Sequence, residues 1–259
     1  MIGVGRRSLS VLLKRVTEPC TYAALGRMAR IHKHPWRALW REVFSRSGYP
    51  TTLEIQTPVG LRSVRLFNAE DLSTFDSVFC RLDYGDPHPL CFVVDFGSNI
   101  GITGLYWLTR NPESRVYLYE PVPQLLERLR LNLTGLEDRY TAEQVAVSNS
   151  RGPVEFGVEP TGRLGGIGTE WSEKIEVRRD HVMNVLGPVL DRHGTIDCLK
   201  VDIEGHEDAV FRAIDAGCWK RIRYVAVEDY LGKTREYVPD YFTSTRQLSV
   251  LRFTNTLLR

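Results

Sequence analysis

No apolar run in this 259-residue chain is long enough to cross a membrane, and none of its five cysteines (Cys20, Cys80, Cys91, Cys198, Cys218) forms a CxxC pair. The first absence excludes a helical membrane span. The second argues against a disulfide framework or a Cys-based zinc site, and makes a reduced, cytoplasmic compartment the expectation. Internal repeats and low-complexity tracts are also missing, which points away from solenoids and disordered chains. Neither the GxxxxGK[ST] phosphate loop nor the GxGxxG dinucleotide turn occurs. A pyrophosphate-bearing ligand therefore has no ready cradle.

Charge of one sign is scarce only locally. The chain carries +2 overall, but residues 1 to 50 hold ten Lys/Arg against two acids. That basic opening offers peripheral contact with a membrane surface, although its spread arginines equally suit a solvated helical face. In "MIGVGRRSLSVLLKRVTEP", Lys14 and Arg15 interrupt the apolar stretch and no small-residue cleavage site follows. It does not read as a signal peptide.

What is present is an ordinary globular composition, 42% apolar and 25% charged. "YAALGRMARIHKH" and "WRALWREVFSRSG" have helical spacing. Residues 52 to 67 alternate like a hairpin around Pro58-Val59-Gly60. "NAEDLSTFDSVFCRLDYG" predicts a short helix capped near Ser73 or Thr74. From residue 90 the pattern becomes strand, helix, strand: "LCFVVDF", "ITGLYWLTR", "SRVYLYE", "PVPQLLERLRLNLTGL", then a third strand "AEQVAVS". "GPVEFGV" and "KIEVRRD" suggest a β excursion around "TGRLGGIG", which suits a lid or a plain hairpin tip. A helix with an interruption at Gly187-Pro188 follows, then the strand "TIDCLKVDI", a helix closed by Gly217, and the strand "IRYVAVEDY". This alternation implies a doubly wound, mostly parallel α/β sheet. Ligands of such sheets bind at the carboxyl ends of the strands. Gly97, Glu120, Ser148, Asp202 and Glu228 all fall there.

Two constellations carry chemistry. In "FVVDFGSNIG", Asp95, Gly97, Asn99 and Gly101 form a DxGxNxG turn with no Lys or Arg before Arg110. A carboxylate ahead of the turn repels phosphate and suits a cationic ligand. Glu120, 19 residues past Gly101, ends the next strand, where an acid accepts ribose hydroxyls. An adenosine with a positive tail, S-adenosylmethionine (SAM), combines both features. The second constellation, "LKVDIEGHE", is far too polar for the end of a buried strand unless function demands it. Lys200, Asp202 and Glu204 would share one side of an extended segment, with His206 and Glu207 opening the next helix. Three readings stand: Asp202, Glu204 or His206 as a base beside a substrate hydroxyl; the same three as ligands of a divalent metal, which is not expected; or a structural network around Lys200. His32, His34, His88, His181 and His193 lack comparable polar company and are expected at the surface or in caps.

The DxGxNxG turn, "YEP" at Tyr119-Glu120-Pro121, "QVAVSNSRGPVEF" and "IDCLKVDIEGHE" together resemble the FkbM family of SAM-dependent methyltransferases. The resemblance covers about residues 70 to 229. It implies a class I, Rossmann-like methyltransferase domain over 70–259, behind a basic helical and hairpin extension over 1–69. It also implies SAM as donor and O-methylation of a hydroxyl on a sugar, glycolipid or natural-product scaffold. Asp95, Gly97, Ser98, Asn99, Gly101, Glu120 and Pro121 then become cofactor contacts, with Val145, Ala146 and Ser148 beside the adenine. Asp202 falls where cofactor and substrate meet, with Lys200, Glu207 and Glu228 on the substrate side. No Asn/Asp-Pro-Pro-Tyr pocket for a flipped base is present, so a nucleic-acid partner is not expected. In the family a β-hairpin completes the sheet and a His often follows the Glu of the fifth strand. Here only 30 residues follow Asp229, Asp229-Tyr230 follow Glu228, and "QLSVLRF" is the one clear strand candidate. The last strands are expected to be missing or altered, which leaves a catalytically inactive binding or scaffold protein as the alternative.

Overall fold

The computed structural model describes residues 19–33, 48–85, 90–159, 165–169, 171, 173–229 and 232–258. The basic opening up to residue 18, the second amphipathic stretch over 36–47, His34, His88, the tip 160–164 and Tyr230 lie outside the described residues. The chain divides into two compact units, Met1–Gly85 and Asp86–Arg259, against a sequence boundary expected at 69/70.

In the first unit, helix α1 (Pro19–Ile31) precedes strands β1 (Thr51–Thr57) and β2 (Gly60–Leu66). The strands pair antiparallel through a two-residue turn, Pro58-Val59, closed by Gly60 at φ +106. Period-two alternation buries Leu53, Ile55, Val64 and Leu66 on one face. Helix α2 (Ala69–Phe75) runs into a π-helical segment, Asp76–Arg81. Its cap is Asn68, not Ser73 or Thr74. Asn68 Oδ1 accepts the Asp71 N–H at 2.9 Å, and the Asp71 carboxylate accepts the Asn68 N–H at 3.2 Å. This reciprocal box satisfies two orphan donors that a mid-helix serine could not reach.

The second unit runs β3 (Phe92–Phe96), α3 (Ile102–Arg110), β4 (Arg115–Tyr119), α4 (Pro123–Asn132), β5 (Tyr140–Glu143), β6 (Ala146–Ser148), β7 (Gly152–Val158), β8 (Gly165–Ile167), β9 (Glu173–His181), α5 (Val182–His193), β10 (Ile196–Val201), α6 (Glu207–Arg212), α7 (Ala216–Trp219), β11 (Ile222–Glu228), β12 (Phe242–Gln247) and β13 (Val250–Asn255). The main sheet has seven strands in the order β12-β13-β11-β10-β3-β4-β5. All pairs are parallel except those of β13, which runs antiparallel to β11 and β12. Its order reverses between β3 and β10, the switch point where doubly wound sheets bind ligands. This is the class I, Rossmann-like arrangement. β10 is buried along its whole length, as a central strand covered on both faces must be. Asp197 fixes its register by accepting the Cys91 and Phe92 N–H groups at 2.7 and 3.0 Å.

Four expectations are corrected. The C-terminal segment completes the sheet as two strands joined at Leu248-Ser249, with Leu248 at φ +55. Phe242, Leu251 and Phe253 point into the core, a spacing that the polar residues between them obscure in the sequence. "AEQVAVS" is not one strand. β5 stays in the main sheet, whereas β6 leaves it to pair with β9 in a separate sheet ordered β6-β9-β7-β8. Helix α5 passes through Gly187-Pro188 unbroken; Asn184, whose carbonyl loses its partner at Pro188, is exposed to water. Finally, Gly217 does not close α6. Asp215 starts the separate α7 by accepting the Cys218 N–H at 2.6 Å.

Phe253 is fully buried on β13. Phe253→Ala is expected to cost about 3–5 kcal/mol and to lower Tm by roughly 10 °C. A thermal melt changed by only a degree or two would mean that the terminal hairpin is not integral to the core.

Candidate functional site

The turn between β3 and α3 is locked onto the end of β4. The Tyr119 carbonyl accepts the Gly97 and Ser98 N–H groups at 3.0 and 3.2 Å, and the Glu120 Oε2 accepts the Asn99 N–H at 2.8 Å. Ser98 is buried, and its hydroxyl donates to the Asp95 carbonyl and accepts the Tyr119 N–H. Its side chain is thus committed inside the protein and is not available to a cofactor. The positive φ angles at Gly97, Asn99 and Gly101 (+76, +47 and +83) make the turn. Two of the glycines are required by protein packing. A Cβ on Gly97 would lie 1.8 Å from the Asp202 carbonyl oxygen, and one on Gly101 would lie 2.9 Å from Leu129.

Under the turn sits a buried ion pair. Lys200, 1% exposed, projects from β10 with its Nζ 2.9 Å from Asp95 Oδ1 and 3.6 Å from Asp202 Oδ2. It also donates to the Gly97 carbonyl at 2.8 Å. Burial alone would push the ammonium down, but Asp95 and Asp202 outweigh it and hold the pKa above the usual lysine value. The Asp95 carboxylate also accepts the Thr103 hydroxyl and has no solvent exposure. Asp95 is therefore a foundation of the turn, not a direct partner for a cationic ligand. Lys200 is likewise not a surface substrate contact. Thr103 was missed in the sequence because it reads as one more residue of an otherwise apolar helix. Asp202 differs from both: its side chain is 24% exposed at the strand end.

After Asp202 the strand stops. Glu204 and Gly205 adopt positive φ (+55 and +92), so Glu204 does not continue the Lys200–Asp202 alternation. Glu207 is 8% exposed, and its Oε1 accepts the Ile203 and Gly205 N–H groups at 3.2 and 3.1 Å. It braces the loop and is not a substrate contact; burial raises its pKa. His206 is half-buried, its Nε2 2.9 Å from the Ser148 hydroxyl, which ties β6 to the signature loop. Burial lowers its pKa, so the neutral imidazole is favoured. Gly166 of β8 packs against the same loop, where an added Cβ would lie 3.0 Å from the Glu204 carbonyl. Among the described residues, Asp202, Glu204 and His206 do not bring three donor atoms within 4.8 Å of one another, as a shared metal would need.

The remaining expected residues divide. Glu228 ends β11, partly exposed, and accepts the Ser249 hydroxyl at 2.7 Å. Asp229 is buried and collects the Gly232 N–H and both donors of Thr234, which makes it a loop anchor. Pro121, Val145 and Ala146 are buried. Val145 also lines a cleft of about 320 Å³ with Tyr119, Glu143, Arg178 and Asn184, away from Asp202. Of the histidines, His181 caps α5 through its Nδ1, as expected. His193 instead stacks on Phe92 with centroids 3.9 Å apart, and His32 is buried in the first unit.

Glu120 lies just past β4 and is 4% exposed. Its two oxygens accept the Asn99 and Val122 N–H groups, leaving lone pairs for further donors. Burial pushes its pKa up to about 7, against those hydrogen bonds and the Lys200 charge. The carboxylates of Glu120, Asp202, Glu204 and Glu228 at this edge suit a ligand with vicinal hydroxyls and positive charge, and disfavour phosphate.

Lys200→Met is expected to destabilise the fold by about 3–5 kcal/mol, because it leaves Asp95 buried without its cation. The double variant Asp95→Asn with Lys200→Met should recover a good part of that loss. Urea unfolding of Lys200→Met, Asp95→Asn and the double variant gives the coupling; purely additive losses would show that the pair is not a unit.

The model of the Methyltransferase FkbM domain family matches residues 95–249. Methyltransferase sdnD of Sordaria araneosa is 28% identical over 54% of this chain and 66% of that protein. Hexuronic acid methyltransferase AglP of Haloferax volcanii is 25% identical over 72% of this chain and 73% of that protein. A solved FkbM methyltransferase from Methylobacillus flagellatus KT is 14% identical, covering 71% of this chain and 54% of that one, with a TM-score of 0.47. The chain thus spans just under two thirds of sdnD and about half of the solved relative. Its matched segment runs from Asp95 to the turn of the terminal hairpin, just short of β13, and takes in the glycine turn, Glu120 and the 200–207 signature, so the chain belongs to the FkbM methyltransferase family.

Proposed function

We propose that this protein is a SAM-dependent O-methyltransferase acting on a hydroxyl of a sugar, glycolipid or natural-product scaffold. The observation that carries the reading is Asp202. It is the partly exposed carboxylate of the Lys200 network, held at the switch point by its own N–H, which donates to the Phe96 carbonyl at 3.1 Å. Family membership supports the donor, and AglP, named for a hexuronic acid substrate, supports a saccharide acceptor.

When bound, SAM supplies an electrophilic methyl group on a sulfonium. Glu120 would hold the ribose hydroxyls, with Asn99 and Gly97 lining the approach. Asp202 orients the acceptor hydroxyl and takes its proton. Because the leaving group would be neutral, the task of these residues would be positioning and water exclusion more than charge stabilisation. His206 stands in reserve as base: its imidazole is neutral, but its Nε2 is engaged by Ser148. Glu204 lines the acceptor side, where the β7–β8 excursion packs on its backbone. No metal is invoked.

Isothermal titration should detect SAM and S-adenosylhomocysteine binding, and incubation with a pool of sugars and glycolipids should give products heavier by one methyl group. Asp202→Asn is expected to keep SAM affinity and to lower kcat by about 100-fold or more. Unchanged turnover would remove Asp202 from the chemistry. Absence of SAM binding at millimolar ligand would favour the inactive scaffold, a reading whose support in the sequence was an incomplete sheet.

Glu120 gives a pH test. Its raised pKa means that the folded ligand-free chain binds an extra proton between about 4.5 and 7, so its contribution to stability declines as pH rises through that window. Ribose hydroxyls favour the ionised carboxylate, so SAM affinity is expected to rise between about pH 6 and pH 8 with proton release. Glu120→Gln should weaken binding and flatten this dependence; a wild-type affinity that is flat across the range would contradict the assignment.

A further inference from the structure

We propose that His32, Asp76 and Cys80 form a buried divalent-metal site, selective for zinc or an ion of similar softness. The site lies in the first unit and is independent of the methyl-transfer reading. The three residues offer an imidazole nitrogen, a carboxylate oxygen and a thiol sulfur that all lie within 4.8 Å of one another. They are 5%, 4% and 1% exposed. Donors around a tetrahedral zinc stand roughly 3.3–3.7 Å apart, so closure needs side-chain adjustment and no backbone movement.

Local structure places each donor. His32 directly follows α1, its N–H bonded to the Met28 carbonyl at 3.0 Å and its backbone bridged to Ile55 of β1. Asp76 opens the π-helical segment and Cys80 lies four residues on, so the wide turn keeps both on one face. Arg27 of α1 donates to the Cys80 carbonyl, which holds the helix against that segment. Phe75 sits 5.2 Å from the His32 ring and stacks on Phe79, which keeps the surroundings apolar.

The second observation concerns His32 itself. Its Nε2 is buried and makes no hydrogen bond. Buried ring nitrogens are nearly always satisfied, and an orphan calls for a ligand. A set with one sulfur and one nitrogen excludes calcium and magnesium, which take oxygen donors. Three protein ligands leave a fourth position for water or another group. Metal binding would pin the end of α1 to the π-helical segment. The spacing 32, 76, 80 matches no zinc motif, so the missing CxxC pairs say nothing against it.

The test uses the full chain purified without chelator. Elemental analysis should find about one zinc per chain, and cobalt added to the stripped protein should give a thiolate-to-metal charge-transfer band. Cys80→Ser should abolish that band and weaken zinc binding more than about tenfold, while Cys91→Ser leaves both intact. Should Cys80→Ser fail to fold, zinc should still protect Cys80 of the wild-type chain from alkylation. The stripped wild type showing neither the cobalt band nor zinc protection, or a band surviving in Cys80→Ser, would overturn the site.

Discussion

The second unit depends on one buried cation. Lys200 stands in the middle of the sheet, where a lone ammonium would be prohibitively costly, and its presence there is tolerable because Asp95 and Asp202 flank it. The same Nζ holds the Gly97 carbonyl. One side chain therefore ties β3, the glycine turn and the end of β10 together. It also separates the two aspartates by role: Asp95 becomes sealed scaffold, and Asp202 keeps a partly exposed carboxylate at the strand end.

The glycine turn follows from that constraint. Gly97 is needed because the Asp202 backbone comes too close for a Cβ, and Gly101 because Leu129 of α4 does. The glycines make the protein close on itself at the switch point. Around the closed turn stand Glu120, whose carboxylate accepts the Asn99 N–H, and the partly exposed Asp202. The loop beyond Asp202 is handled in the same way: Glu207 binds its backbone from within, and Ser148 and Gly166 hold it from the smaller sheet.

Much of the fold was legible because its signals are local. Continuous apolar strands such as "LCFVVDF", the turn at Pro58-Val59-Gly60 and the alternation of strands with helices all follow from short-range rules. The errors share a cause. The hairpin Phe242–Asn255 hides its core residues among polar ones, β6 leaves the main sheet without a local marker, and α5 tolerates Pro188 because the orphaned carbonyl meets water.

The sequence by itself determined the residue types at the strand ends, the family signature and the doubly wound class, because these depend on order and spacing along the chain. Only the tertiary structure decided what each charged group faces. Asp95, Lys200 and Glu207 looked like ligands and proved to be internal partners, while His32, which looked like a surface residue, proved to be buried beside Asp76 and Cys80. Whether a polar side chain serves the fold or a ligand depends on which distant residue reaches it first, and that is settled by packing across the sheet and between helices.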